Sequence, residues 1–194
     1  MLTELTPTPA EGLPRDSLAD YLRLSQGFAD DAALGAHLEA CLRAAIAAIE
    51  ARTAKALFRR SFALAVHAWT APERQDLPVA PVVAVHSVRL ISRGGTETPL
   101  PSEAWDLVSD SHRASIVATS GDLPPVASGG LGEIRFDAGY AADWAGMPAD
   151  LAQAVILLAA GYFGQDADTE SGVPAAVARL LEPFRALRLG RAGA

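Results

Sequence analysis

The spacing of apolar residues changes twice along this chain, and that change restricts the fold more than any other feature. Leu34, Leu38, Cys41, Leu42, Ala45, Ile46 and Ile49 recur at steps of three and four, which puts them on one side of a helix. From Phe58 the period falls to two. Phe62, Leu64 and Val66 alternate with Ala63, Ala65 and His67, the pattern of a strand with one buried face. A nearly unbroken apolar run over 151–163 then returns the chain to helix. The expected class is α+β and mainly helical: a bundle of about four helices with an antiparallel β insertion between the second and third.

The elements follow from local chemistry. Residues 1–13 are rich in Pro and Thr without periodicity and read as a flexible arm or an extended interface segment. Leu18, Tyr21 and Leu22 predict a short helix over 15–24, stopped by Gln26-Gly27. Asp30 and Asp31 supply an N-cap for a long helix over 31–56, with Glu39 and Arg43 paired on its outer face. Its many alanines permit close approach, inside a bundle or against a neighbouring subunit. Val83, Val85, Val88 and Leu90 predict a second strand, followed by a turn at Arg93-Gly94-Gly95-Thr96. Short strands are expected at 105–108 and 115–117, around an Asp-Ser-His turn at 110–112, and a longer one at 132–138. Pro148 and Pro174 each open a helix. The first helix is apolar nearly all round and therefore central. The second carries Val177, Leu180, Leu181 and Phe184 on one face and is disturbed near its end by Pro183.

A chain of 194 residues is long enough for one domain with a real core. That domain is expected over 1–190, with N-terminal helices at 15–57, the insertion at 58–138 and C-terminal helices at 147–188. The ends at 1–13 and 189–194 are expected to be flexible. The formal net charge of −7 opposes tight contact with nucleic-acid phosphates. The last stretch reverses that sign, with Arg179, Arg185, Arg188 and Arg191 against Glu182. Such a tail suits an acidic partner, or simply complements a helix end. A single cysteine, Cys41, excludes an internal disulfide and a Cys-based zinc site. No signal peptide and no membrane span are expected.

Motifs that carry chemistry are scarce. Gly129-Gly130-Leu131-Gly132 lacks the Lys-Ser/Thr and the flanking elements of a phosphate loop. His37, His67, His86 and His112 fall in no metal-binding spacing. No Gly-x-Ser-x-Gly elbow is present, and Ser111-His112 is not a dyad by adjacency. Cys41 lies on the apolar stripe and reads as a small buried hydrophobe. Asp166, Asp168 and Glu170 alternate in an acidic loop over 164–172 that lacks the glycine and distal Glu of a calcium loop. Trp69, Trp105 and Trp144 read as packing residues of the insertion.

The order and wording of the segments resemble the head–tail connector (adaptor) proteins of tailed phages and of phage-derived gene transfer agents. The matching stretches are RDSLADYLRL, DDAALGAHLEACLRAAIAAIEARTAKAL, FRRSFALAVHAW, LPVAPVVAVHSVRLI, EIRFDAGY, MPADLAQAVILLAAGYF and VPAAVARLLEPFRALRLG. Together they span roughly 13–190. The resemblance implies a structural protein without enzymatic activity or cofactor, made in the bacterial cytoplasm. In a virion or phage-like particle it would form a ring, commonly of twelve copies, at the head–tail junction. The ring would sit between the portal protein and a stopper or tail-joining protein, with DNA passing through its lumen without specific contact. The stretch matching the portal-facing part of the family carries Arg179, Leu180, Phe184, Arg185, Leu187, Arg188 and Arg191. Phe184 would be the apolar anchor there, and the arginines would pair with portal acids.

Two other readings stay open. One is a soluble scaffolding or regulatory module that dimerises through the Ala-rich helix. The other is a small hydrolase in which His67, His86 or His112 converges with Asp106, Asp110 or Asp137.

Overall fold

A computed structural model describes residues 1–24, 31–110, 112–164 and 173–185. The chain divides into two compact units. One is built from Met1–Leu13 and Lys55–Pro148, the other from Pro14–Ala54 and Ala149–Ala194.

The first unit holds eight strands: β1 (Leu2–Glu4), β2 (Arg60–Val66), β3 (Arg74–Asp76), β4 (Val82–Ile91), β5 (Glu97–Pro99), β6 (Trp105–Val108), β7 (Ser115–Ala118) and β8 (Leu131–Ala138). They form two antiparallel sheets, in the orders β1-β2-β8-β4-β5 and β3-β7-β6. Period two explains the core directly. Phe62 and Leu64 on β2, Ile134, Phe136 and Ala138 on β8, and Val82 and Val88 on β4 all turn to one side. Ile116 of β7, with Leu77, Ala114 and Leu123, joins the same cluster. Phe62 and Phe136 stand opposite each other in the register and stack with ring centroids 5.7 Å apart. Gly132 of β8 lies beneath Trp69. A Cβ there would come within 2.5 Å of the indole ring, so glycine is what lets the tryptophan cover the strand.

β4 departs from strict alternation. Its register against β8 shifts between Val82 and Ala84 and again between Val85 and Ser87. Val83 and His86 are the extra residues of these bulges. Val83 is exposed as a result.

The second unit holds α1 (Arg15–Tyr21), α2 (Ala32–Thr53), α3 (Ala149–Gly164) and α4 (Ala175–Leu181). α3 touches the other three, the central place that its all-round apolar sequence calls for. The inward face of α2 is the stripe read from sequence, with Leu38, Cys41, Leu42, Ala45, Ile46 and Ile49 buried. The Asp31 side chain caps α2, accepting hydrogen bonds from the N–H groups of Ala33 at 3.0 Å and Leu34 at 3.1 Å. Asp31→Ala is therefore expected to cost about 1 kcal/mol, seen as a fall of a few degrees in a thermal melt with an unchanged spectrum at 20 °C. α2 ends earlier than its periodicity suggests, because Ala54 turns left-handed at φ 56°. At 22 residues and a mean hydropathy of 1.4, α2 has the length and composition of a membrane span. Much of that apolar character is alanine, and its Leu38, Leu42, Ile46 and Ile49 side chains are buried within the helical unit. α4 stops at Leu181 and passes into a single 3-10 turn, Glu182–Phe184, where Pro183 removes a helical donor.

The expectation of a mainly helical bundle is corrected. Among the described residues, eight strands in two sheets stand against four α-helices, two of them only seven residues long. The fold is α+β with a β unit that has its own core. Three strands, β1, β3 and β5, have only three residues each, too few for alternation to show. β1 also places part of the N-terminal arm in the sheet, against β2. The expected helix stop at Gln26-Gly27, the capping role of Asp30, Ser111, and the acidic residues Asp166, Asp168 and Glu170 lie outside the described residues.

Candidate interaction surfaces

The C-terminal residues singled out from sequence separate by position on α4. Val177 and Leu181 are buried against the rest of the helical unit. Leu180 and Phe184 are half-buried, while Arg179 and Arg185 are exposed. The helix thus holds itself in place with one apolar pair and presents the next turn, with its arginines, outward. Leu187, Arg188 and Arg191 lie outside the described residues.

The outer face of α2 is a run of small residues. Ala33, Ala36, Ala40, Ala44, Ala47 and Ala51 are all exposed. Arg43 lies beside them and is held by Glu39 at 2.9 Å. On the inner face Cys41 is buried, its thiol pushed up by that burial. Its Sγ lies 3.9 Å from His37 Nε2. A thiol in that setting is a packing group rather than a nucleophile.

The outward face of the five-stranded sheet is polar and internally paired. Arg89 donates to Glu133 at 2.9 Å through Nε and to Glu97 at 2.5 Å through Nη1, and Arg135 donates to Glu133 at 2.8 Å. Beside them Ser61 Oγ donates to Asp137 at 2.6 Å, and His86 Nε2 lies 2.9 Å from the other carboxylate oxygen. Partial burial works against the charge of Asp137, but the Ser61 and His86 hydrogen bonds and the charges of His86 and Arg59 outweigh it and hold the carboxyl below its ordinary range. Glu133 is held low in the same way, burial being overcome by Arg135 and Arg89. Both groups favour the folded state when ionised. Their contribution is complete above the unfolded pKa of about 4 and is lost as pH falls through the lower folded values. The melting temperature is expected to drop as pH is taken from 6 toward 3. His86→Ala should flatten that drop by removing one support of Asp137. A pH series of melts on both chains reads the difference.

His86 and Asp137, one of the pairs considered from sequence, do meet here, but not in the order of a serine triad. The carboxylate of Asp137 sits between Ser61 and His86, so the hydroxyl gives its hydrogen bond to an acid and not to the imidazole that would activate it. The other pairs considered from sequence do not assemble a site either. His67 Nδ1 lies 3.1 Å from the carbonyl of Gly130. His112 donates its backbone N–H to Asp110 at 2.6 Å, and Asp106 is exposed on β6. Among the described residues, no group of three or more His, Cys, Asp or Glu side chains is placed to hold a metal.

Lys55, the only lysine of the chain, escaped the sequence reading. It is 2% exposed, with Nζ 3.5 Å from His112 Nδ1. Burial pushes its amine below the ordinary range, and the charge of Asp110 acts against that shift. The group ties the β6–β7 turn to the segment that enters β2, a structural task. A lone lysine in a chain rich in arginine was the available signal.

Among the described residues, neither a metal cluster nor a Ser–His–Asp order is assembled. Comparison with solved structures supplies the class. A chain in the neck of an empty gene transfer agent particle, computed with C6 symmetry, is 47% identical, with a TM-score of 0.90. A chain in the neck of the native particle, computed with C12 symmetry, is 44% identical with a TM-score of 0.85, and one in the native virion is 47% identical with a TM-score of 0.87. Each match covers 97% of both chains. No family model and no curated protein matches the sequence. At this identity over nearly the whole length, the chain belongs to the head–tail neck proteins of gene transfer agent particles.

Proposed function

We infer that this chain is a head–tail connector, a structural component of the neck at the head–tail junction of a phage-like particle. The observation that carries the reading is 44–47% identity over 97% of both chains with proteins of such necks. The relatives' necks were computed with six- and twelve-fold symmetry, which supports a homo-oligomeric ring; twelve copies is the number we propose. In this reading the ring joins the portal of the capsid to a stopper or tail-joining protein and leaves a channel for DNA. A net charge of −7 suits that passage, since acidic walls do not retain phosphates. The portal contact is assigned to the end of the chain, with Arg179 and Arg185 against portal acids, Leu180 and Phe184 beside them, and Leu187, Arg188 and Arg191 continuing the segment. The work is mechanical, without cofactor or metal. The order of Ser61, Asp137 and His86 supports a protein that is not an enzyme.

Deleting the gene in particle-producing cells tests the reading. The expected result is filled heads and separate tails that do not join. Intact tailed particles from the deletion strain would contradict it.

A further inference from the structure

We propose that β1 is the docking edge for the neighbouring copy of this chain, which adds its β6 to the five-stranded sheet. The proposal rests on the connector reading and says how one subunit grips the next.

The backbone carries the argument. Met1 and Ala65 exchange hydrogen bonds, and Leu5 N–H donates to the Ser61 carbonyl. In an antiparallel ladder such pairs alternate. Met1, Thr3 and Leu5 therefore face β2, while the N–H and C=O groups of Leu2 and Glu4 point away from the sheet. Edges of this kind are usually guarded by proline, charged side chains, a bulge or shortness. β1 is short, but residues 1–6 contain no proline or lysine, the one charged side chain, Glu4, is held by Arg60 at 2.9 Å, and the β1–β2 register is unbroken. The side chains add an apolar rim, with Met1 87%, Leu2 37% and Leu5 44% exposed.

The opposite edge of the same sheet is closed. Ser92 and Leu100 donate to Thr96 and Val88, which turns Glu97 and Pro99 of β5 outward, and Pro99 has no N–H to offer. The smaller sheet does have an open edge. Thr119 N–H donates to the Ala104 carbonyl, so by the same alternation Trp105 and Leu107 of β6 present their backbone groups outward, beside Val108 at 49% exposure.

Two strands that each offer two outward residues and apolar flanks suit strand addition. Pairing β1 with another β1 would make a two-fold dimer. Pairing it with the different edge of β6 is head-to-tail, the kind of contact that closes into a ring. The relatives' necks, computed with six- and twelve-fold symmetry, favour the second.

The test uses capsids purified from cells lacking the gene, mixed with the full chain and imaged to count neck rings. Wild type is expected to add a ring. Leu2→Pro removes only an outward donor, and Leu2→Lys and Val108→Lys place a guarding charge on each edge. All three should lower ring occupancy at least tenfold while melting within a few degrees of wild type. If Leu2→Pro does not fold, Leu2→Lys, with its backbone intact, decides for β1. Wild-type occupancy in the β1 variants overturns the proposal and leaves the connector reading standing. Wild-type occupancy in Val108→Lys alone overturns the role of β6, as does a two-fold dimer lost only in the β1 variants. If wild-type chain adds no ring, the connector reading itself fails.

Discussion

Reversing Arg179 and Arg185 together, to Glu, is expected to weaken binding to the portal about tenfold per subunit and to leave the fold intact. Both side chains are exposed on or just beyond α4, and exposed substitutions away from packing usually change stability by no more than about 0.5 kcal/mol. Opposing charges at an interface rim act on encounter and register. The loss should therefore shrink when wild type is compared with the variant at high salt, where such contacts are already screened. In a closed ring the effect is repeated at every subunit, so a modest loss per copy becomes failure of the joint. Removing α4 whole would be a poorer experiment. Val177 and Leu181 are buried, and cutting them away would damage the helical unit along with the contact. Surface plasmon resonance against immobilised portal, with a melt of each chain, separates the two effects. Unchanged binding would move the portal contact away from this segment.

Phe136→Ala should be the most damaging single change in the β unit. Phe136 is fully buried at the centre of β8, which pairs with both β2 and β4, and it stacks on Phe62. Truncating a buried phenylalanine costs about 3–5 kcal/mol, a large part of the roughly 5–15 kcal/mol that holds a domain together. The expected result is a melting temperature lower by ten degrees or more, and a chain recovered largely as aggregate. Because Phe136 sits on the strand that both β2 and β4 pair with, both sides of the five-stranded sheet should loosen together, and ring assembly should fail with the fold. Phe136→Leu keeps most of the volume and should recover much of the loss. A denaturant titration of the three chains measures it. A cost under 1 kcal/mol for the alanine variant would mean that the core is not centred where the register puts it.

Long periodic segments were legible in the sequence because burial of one face imposes its spacing on them. The stripe from Leu38 to Ile49, the alternation at Phe62 and Leu64, the central helix after Pro148 and the Asp31 cap all appear as the residues suggested. What escaped has a physical cause in each case. Three-residue strands show no period, so the β content was underestimated and a mainly helical bundle expected. The bulges at Val83 and His86 change the phase of β4, and no local feature of the sequence announces them. The open edge of β1 depends on which strand lies beside it, a long-range fact. The burial of Lys55 beside His112 is likewise a product of contacts made far apart in the chain. The family resemblance was legible because segment order survives at 44–47% identity. The half-exposed state of Leu180 and Phe184 was not, since an apolar face looks the same whether it meets its own core or a partner.

The most direct test is a cryo-electron microscopy reconstruction of the portal vertex in particles purified from the producing cells. The expected result is a ring of this chain between portal and tail, with its C-terminal segment toward the portal. A neck built without this chain, or the chain found elsewhere in the particle or absent from it, would show that it is not the connector.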